Sequence, residues 1–347
     1  MKEGRSTVYN NITSEEKLAR VNPENIQLGN DFIEYLESVD RAKSTIKQYQ
    51  ANLNVFWCWN LEFNNNKFFV DLTKREIAKF QSHALNEWGW SPRRMRAVKA
   101  TLSSLSAYIE NILDDEFEGY KPIVRKIESP VNEAVREKSV FQEEDLKTLL
   151  DKLVENKDYI KACVLALAMY SGKRKTELTR FKTSYFDDSN LICGGALYKT
   201  PEKIKTKGRG QRGKLLDVYT IAKPFKPYLD LWVSQREELG INSEWLFPKY
   251  ENKEFINEPI EISTLDSWAR TFSNILQKPF YWHSMRHWYV SSLSDQGLPD
   301  DVIKDITGWS DVSMVSVYKD RDTEDNLDKY FGADGIKKVE KKNLEDL

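Results

Sequence analysis

Cysteine is scarce in this 347-residue chain, and the three present, Cys58, Cys163 and Cys193, are an odd number at wide spacing. That excludes a disulfide framework and a four-cysteine zinc site. No run of 18 apolar residues occurs, so no membrane span is expected. The opening residues, MKEGRSTVYNNITSEEK, lack the apolar stretch of a secretory signal. A surplus of one charge is also missing. Lys and Arg number 52 against 54 Asp and Glu, a net of −2, which argues against a histone-like polycation but leaves local basic surfaces open. There is no internal repeat and no low-complexity tract. These absences predict a soluble, cytoplasmic protein.

What is present suffices for buried cores, since 40% of residues are hydrophobic and 31% charged. The length suggests two domains. Residues 1–25 are polar and aperiodic and read as a flexible arm. Residues 26–118 carry helical spacing. Ile46, Tyr49, Leu53 and Phe56 recur at steps of three and four, and Thr73-Lys-Arg-Glu76 has the form of a capping box. Ser91-Pro92 opens a long stripe through Met95, Val98, Leu102, Leu105, Ile109 and Ile112. This predicts a compact bundle of about four helices. A charged stretch with Gly119, Pro122 and Pro130 reads as a linker over 119–138.

A second domain is expected over 139–335, followed by a tail at 336–347. Leu146, Leu149, Leu150 and Leu153 predict a surface helix, and Tyr159 to Tyr170 a buried central helix ending at Ser171-Gly172. Two strand-like runs, Leu191–Tyr198 and Lys214–Ile221, enclose a long polar tip. From Lys223 onward the pattern is mostly helical. The fold class is therefore mainly α with a small antiparallel β-sheet.

Positive charge is concentrated. Between Lys173 and Lys214 lie twelve Lys and Arg against four Asp and Glu. The first domain adds Arg41, Lys43 and Lys47 on one predicted helix, then Arg93, Arg94, Arg96 and Lys99 at the start of another. Such clustering matches the electrostatic footprint of nucleic-acid binding. It equally suits a solvated basic face.

Four short segments decide between these readings. They are Arg174 followed by Lys-Thr-Glu177-Leu178, then His283-Ser-Met-Arg286-His287, then Thr307-Gly308-Trp309, and then Tyr318. Arg286 precedes Trp309 by 23 residues and Trp309 precedes Tyr318 by nine. Each alone is weak, and Tyr318 by itself could be a packed aromatic beside Val312, Met314, Val315 and Val317. His283 and His287 resemble half a zinc site, but no intervening glutamate or third ligand is evident. The ordered set resembles the tyrosine recombinase (phage integrase) family over the whole chain.

That resemblance implies a two-domain DNA clamp, with a helical, SAM-like core-binding domain before a mixed α/β catalytic domain. It implies a site-specific recombinase that cleaves and rejoins duplex DNA through a 3′-phosphotyrosyl intermediate on Tyr318, integrating or excising a mobile element. Arg174 and Arg286 would clamp the phosphate, because guanidinium forks match its oxygens and stay charged. His283 would take the proton of Tyr318. Trp309 could donate its indole N–H but cannot exchange protons, and Glu177 would orient the site. The general acid is a hairpin lysine, Lys207 or, as the alternative, Lys205, which share a strand face with Lys203. Lys203, Arg209 and Arg212 would track DNA. No cofactor and no metal are called for. The implied partners are duplex DNA with defined sites, a tetramer of this chain on that DNA, and an accessory directionality protein. Residues 327–336, with Leu327, Tyr330, Phe331 and Ile336, would dock on a neighbouring subunit. Lys173 and Trp288-Tyr289 depart from the family form, which has apolar and smaller residues there. A type IB topoisomerase-like relaxing enzyme and a catalytically inactive DNA-binding regulator on the same scaffold are the rival readings.

Overall fold

The computed structural model describes residues 12–131, 141–207 and 213–318, and the backbone at 331–332 and 335–336. The chain divides near residue 136 into two compact units, each with its own buried apolar cluster.

In the first unit, α1 (Glu15–Ala19) is capped by Ser14, whose hydroxyl accepts from the Lys17 amide. α2 (Pro23–Ser38) starts with proline at its first position behind Asn22, where the missing N–H is no loss. Ile12 and Val21 are buried. Residues 12–25, expected in a flexible arm, are therefore folded onto the bundle; the sequence hid this because the apolar anchors, Ile12, Leu18 and Val21, are sparse among polar residues.

α3 (Lys43–Phe63), α4 (Lys74–Asn86) and α5 (Pro92–Ile112) complete the bundle. The Thr73–Glu76 capping box is present, with the Glu76 carboxylate 2.8 Å from the Thr73 amide. Met95, Val98, Leu102, Leu105 and Ile109 are fully buried, but Ile112 is exposed, so the stripe ends one turn early. Buried Asn25 accepts from the Phe69 amide and donates to the Lys67 carbonyl, each at 2.8 Å, fixing α2 against the loop before α4.

The expected linker also begins too early. Tyr120 bonds the Ser106 hydroxyl at 2.7 Å, and Val124, in a 3-10 turn, is fully buried against α5. Residues 119–127 thus belong to the first unit, because Tyr120, Ile123, Val124 and Ile127 add apolar contacts among the charges. Residues 132–138 lie outside the described residues.

The second unit is built on α6 (Glu143–Glu155) and α7 (Tyr159–Ser171). The four leucines of α6 are buried, as is every side chain from Ala162 to Ser171. α8 (Lys175–Leu178) follows the turn. The two strand-like runs form a small antiparallel sheet, and the tip between them carries a second strand pair. β1 (Leu191–Ile192) and β2 (Leu197–Lys199) are parted by a Cys193–Gly195 turn, and β2 pairs with β5 (Tyr219–Ile221). The polar tip holds its own antiparallel pair, β3 (Ile204–Thr206) with β4 (Lys214–Leu216).

α9 (Ala222–Glu238) packs along α7. A further hairpin, β6 (Pro248–Glu251) and β7 (Glu254–Pro259), interrupts the region expected to be helical. Its turn residues Asn252 and Lys253 both have positive φ, a two-residue turn that lacks the usual glycine signal. The unit continues with α10 (Ile262–Leu276), α11 (Trp282–Asp295), α12 (Asp300–Thr307) and α13 (Ser313–Tyr318). Two short strands, β8 (Phe331–Gly332) and β9 (Gly335–Ile336), pair beyond it; Leu327 and Tyr330 lie outside the described residues. No helix among the described residues is long and apolar enough to cross a membrane.

Two glycines shape the backbone at the ends of α7 and α12. Gly172 ends α7 at φ +59, and a Cβ there would overlap the Tyr289 ring. Gly308 ends α12 at φ +77, with Leu216 of β4 where its Cβ would stand. Gly172→Ala is expected to lower stability by at least about 2 kcal/mol, from the left-handed backbone and the overlap together. Urea unfolding followed by tryptophan fluorescence measures this, and an unchanged midpoint would show that the turn tolerates a side chain.

Candidate active site

Arg286, on α11, is completely buried. Its Nη1 donates to the Gly172 carbonyl at 2.8 Å and its Nη2 to the Thr307 carbonyl at 3.0 Å. Both acceptors stand at helix ends, where carbonyls lack partners within the helix. The third donor, Nε, has no hydrogen-bond partner among the described residues. Burial and the neighbouring Arg174 lower the Arg286 pKa to about 10, so it stays charged at neutral pH. Its guanidinium also lies 4.7 Å from the Trp309 ring.

Tyr318 ends α13 and is itself buried. Its hydroxyl is 3.1 Å from His283 Nε2. The phenol ring is held between aromatics: His287 stacks on it at 4.4 Å and Trp309 lies at 4.7 Å. Ser291 donates to the Tyr318 carbonyl at 3.2 Å, tying α13 to α11. His283 keeps an open surface, yet partial burial, then the positive charge of His287, Arg286, Arg174 and Lys207, lower its pKa to about 4. A neutral imidazole can accept a proton from the phenol. The Trp309 indole N–H is buried without a partner among the described residues. Two orphaned donors are therefore grouped here, on Trp309, whose ring lies beside that of Tyr318, and on Arg286, whose guanidinium lies on Trp309, an arrangement suited to the oxygens of a phosphate.

Arg174 opens α8 and is paired with Glu177, Nη1 to Oε1 at 3.0 Å, with its side chain 28% exposed. Glu177 also accepts from the Arg174 amide at 3.0 Å and from the Lys207 amide at 3.5 Å. Burial acts to raise the Glu177 pKa, but the Arg174 amide and charge win and hold it below the usual range. Glu177 is thus committed to Arg174 through both the guanidinium and the amide. Arg180 reaches the Lys205 carbonyl and anchors β3. Lys203, Lys205 and Lys207 are all exposed while Ile204 and Thr206 are buried, so the three do share a face. Among them, Lys207 follows the strand's end, is bonded through its amide to Glu177, and adds to the positive field at His283.

Of the basic residues expected on DNA, Lys43, Lys47, Arg93, Arg96 and Lys203 are exposed, and Arg41 and Arg94 half-buried. Arg41 precedes α3 rather than lying on it. Arg94 donates to Asn52 at 2.7 Å and stacks on Trp90 at 5.0 Å. Lys99 is a correction: it is buried, bonded to the Ile127 carbonyl and to Ser129 at 3.0 Å, and holds the 113–131 segment instead of facing solvent. Arg209 and Arg212 lie outside the described residues. Sequence reasoning gave no role to His287, though it falls one helical turn after His283 on the same face. It also noted Lys173 only as a departure.

Comparison with known proteins yields two matching sequence profiles: "Phage integrase family" over residues 139–325 and "Phage integrase, N-terminal SAM-like domain" over 28–118. The SPbeta prophage-derived recombinase-like protein YomM of Bacillus subtilis is 31% identical over 242 residues, covering 69% of this chain and 68% of that protein. Tyrosine recombinase XerD of Listeria innocua is 24% identical over 302 residues, 83% and 92% of the two chains. A lambda integrase dimer bound to a COC′ core site shares the fold with a TM-score of 0.61 at 16% identity, over 89% of this chain and 81% of that one.

The depressed His283 pKa has a direct readout. Near pH 5.5, where an ordinary histidine is mostly protonated, nitrogen chemical shifts are expected to report a neutral His283 ring, with protonation setting in only toward about pH 4. An imidazole titrating near its ordinary value would remove the electrostatic account of this site.

Proposed function

The chain belongs to the phage integrase family of tyrosine recombinases, and from that premise we propose that it is a site-specific recombinase cutting and rejoining duplex DNA through Tyr318. The observation that carries this reading is the Tyr318 hydroxyl 3.1 Å from His283 Nε2, beside the buried Arg286. A nucleophile, its proton acceptor and a fixed cation stand together.

In the proposed step the Tyr318 oxygen attacks the scissile phosphorus and its proton passes to His283. The bond to the 5′-oxygen breaks, and Lys207 supplies that oxygen's proton, with Lys205 the alternative donor. Arg174 and Arg286 hold the non-bridging oxygens through charge-assisted bonds, and Trp309 adds an indole donor. Removing one such donor typically costs on the order of 10²–10³ in rate. The 3′-phosphotyrosyl ester conserves the bond energy, so religation by a 5′-hydroxyl reverses the same steps. The chemistry needs no metal and no nucleotide cofactor, since the side chains supply the charge and both proton transfers.

The reading extends to partners. XerH in complex with difH and lambda integrase as a tetramer on a Holliday junction are the kinds of assembly it envisages, on duplex sites, for this chain. A directionality protein would set the outcome. Residues 26–118, with the flanking 12–25 and 119–127 that pack onto them, would be the core-binding domain and 139–335 the catalytic domain, an order supported by the spans of the two profiles. Exposed Lys43, Lys47, Arg93, Arg96 and Lys203 would contact phosphates, as would Arg41, Arg94, Arg209 and Arg212. A mobile-element role, integration or excision in the cytoplasm of a prokaryotic or viral host, accords with prophage and transposon relatives.

A nicked suicide substrate tests the proposal. Wild type is expected to form a covalent DNA adduct, undiminished by a chelator, and Tyr318→Phe to form none. Lys207→Ala is expected to slow cleavage on ordinary DNA but not on DNA with a 5′-bridging sulfur, a leaving group that needs no proton. If sulfur instead rescues Lys205→Ala, the acid is Lys205. No adduct with wild type leaves a DNA-binding regulator. Relaxation of supercoils without exchange at a defined site leaves a topoisomerase-like enzyme.

A further inference from the structure

Lys173 is buried to 1% exposure directly beneath the site, at a position where the family resemblance leads one to expect an apolar residue. Its Nζ donates to the Ile306 carbonyl at 3.1 Å. That carbonyl and the next, Thr307, end α12. Arg286 takes the Thr307 carbonyl on one side and the Gly172 carbonyl on the other. Neighbouring residues 172 and 173 are thereby tied to neighbouring residues 306 and 307, with Arg286 as the shared bridge. The carbonyls at a helix C-terminus carry partial negative charge and favour a cation, so Lys173 and Arg286 together finish α12. Arg174 follows Lys173 and Trp309 follows Gly308, so the tie fixes the relative position of Trp309, whose ring lies 4.7 Å from that of Tyr318, and of Arg174, whose charge acts on His283.

We propose that Lys173 is a positioning residue for DNA cleavage: by capping α12 from the α7–α8 turn, it holds Arg174 and Trp309 in one frame around Arg286. This rests on the recombinase reading above. Lys173 itself does not touch the reacting atoms.

The charges that bear on Lys173 come from each packed element. Arg286 comes from α11, where Tyr289 faces Arg286; Arg174 and Glu177 come from the start of α8; and α12 brings the Ile306 carbonyl, its Lys304 and Asp305 pairing with each other at 3.0 Å. Burial, and then Arg286, lower the Lys173 pKa to about 7, against the pull of Glu177. The ammonium, the stronger donor, therefore prevails below neutrality and the amine above. The folded pKa lies below the unfolded one, so the unfolded chain binds more protons as pH rises from about 7 to about 10.4. Stability contributed at this site increases over that interval and is least in acid.

The test is single-turnover adduct formation on the nicked substrate by full-length wild type and Lys173→Met, with DNA affinity and unfolding measured alongside. Lys173→Met is expected to fold at least as stably as wild type near pH 6, because it removes a buried charge, and to bind DNA equally. Its cleavage should nevertheless be about ten-fold slower or more, as expected for a displaced site. The ratio of wild-type to variant rate should fall as pH rises from about 6 to about 8.5. Lys173→Gln, a shorter donor without charge, should fall between them and serves if the methionine variant does not fold. A variant rate within about two-fold of wild type, or a ratio that does not change with pH, overturns the proposal while leaving the recombinase reading intact. Absence of any wild-type adduct overturns both.

Discussion

A guanidinium with no exposed surface governs the second unit. Withdrawing a charge of this kind from water costs several kcal/mol unless geometry and hydrogen bonds offset it. Here Arg286 meets that condition by spanning two helix ends, the Gly172 carbonyl of α7 and the Thr307 carbonyl of α12, while its face lies against Trp309. The same bonds that make the buried charge tolerable fix the turn carrying Arg174 and the segment leading to Tyr318. One side chain meets both structural demands, and its Nε has no partner among the described residues. A buried donor without a partner is costly in a resting protein and useful where an anion is to arrive.

Around that bridge the remaining groups are secured by backbone contacts. Glu177 draws the Arg174 and Lys207 amides toward one carboxylate, linking α8 to the end of β3. Arg180 holds the Lys205 carbonyl, and Leu216 of β4 rests on Gly308. The hairpin that carries the proposed acid is thus seated on the turn that carries Trp309. Glycine at 172 and 308 is required because ring or methyl carbons occupy the space a Cβ would need.

Much of this was legible in the sequence, for physical reasons that can be named. Helix boundaries follow local rules: Thr73 with Glu76 and Ser91 with Pro92 at helix starts, and Gly172 at the end of α7, act within a few residues. Buried helices declare themselves by apolar density, as α7 does. The misses were segments whose anchors are few or distant. Val21 among polar residues and Val124 among charges each bury in an otherwise hydrophilic stretch. The β6–β7 hairpin turns at Asn252-Lys253 with positive φ but no glycine to mark it. Lys99 carries the charge of a DNA contact, yet it is turned inward to satisfy the Ile127 carbonyl, which only folding brings near.

The amino-acid order alone determined which residue types were available and at what intervals: two arginines, a histidine, a tryptophan and a tyrosine spaced as in the tyrosine recombinases. It also determined the helices, because capping and periodicity are short-range. Convergence was decided elsewhere. His283 meets Tyr318 across 35 positions, Arg286 meets Gly172 across 114, and Lys173 meets Ile306 across 133. No local propensity encodes such pairings, since they arise when α7, α11 and α12 pack and their unsatisfied carbonyls must find donors. Only that packing set Lys173, an apparent exception, against the last carbonyls of α12.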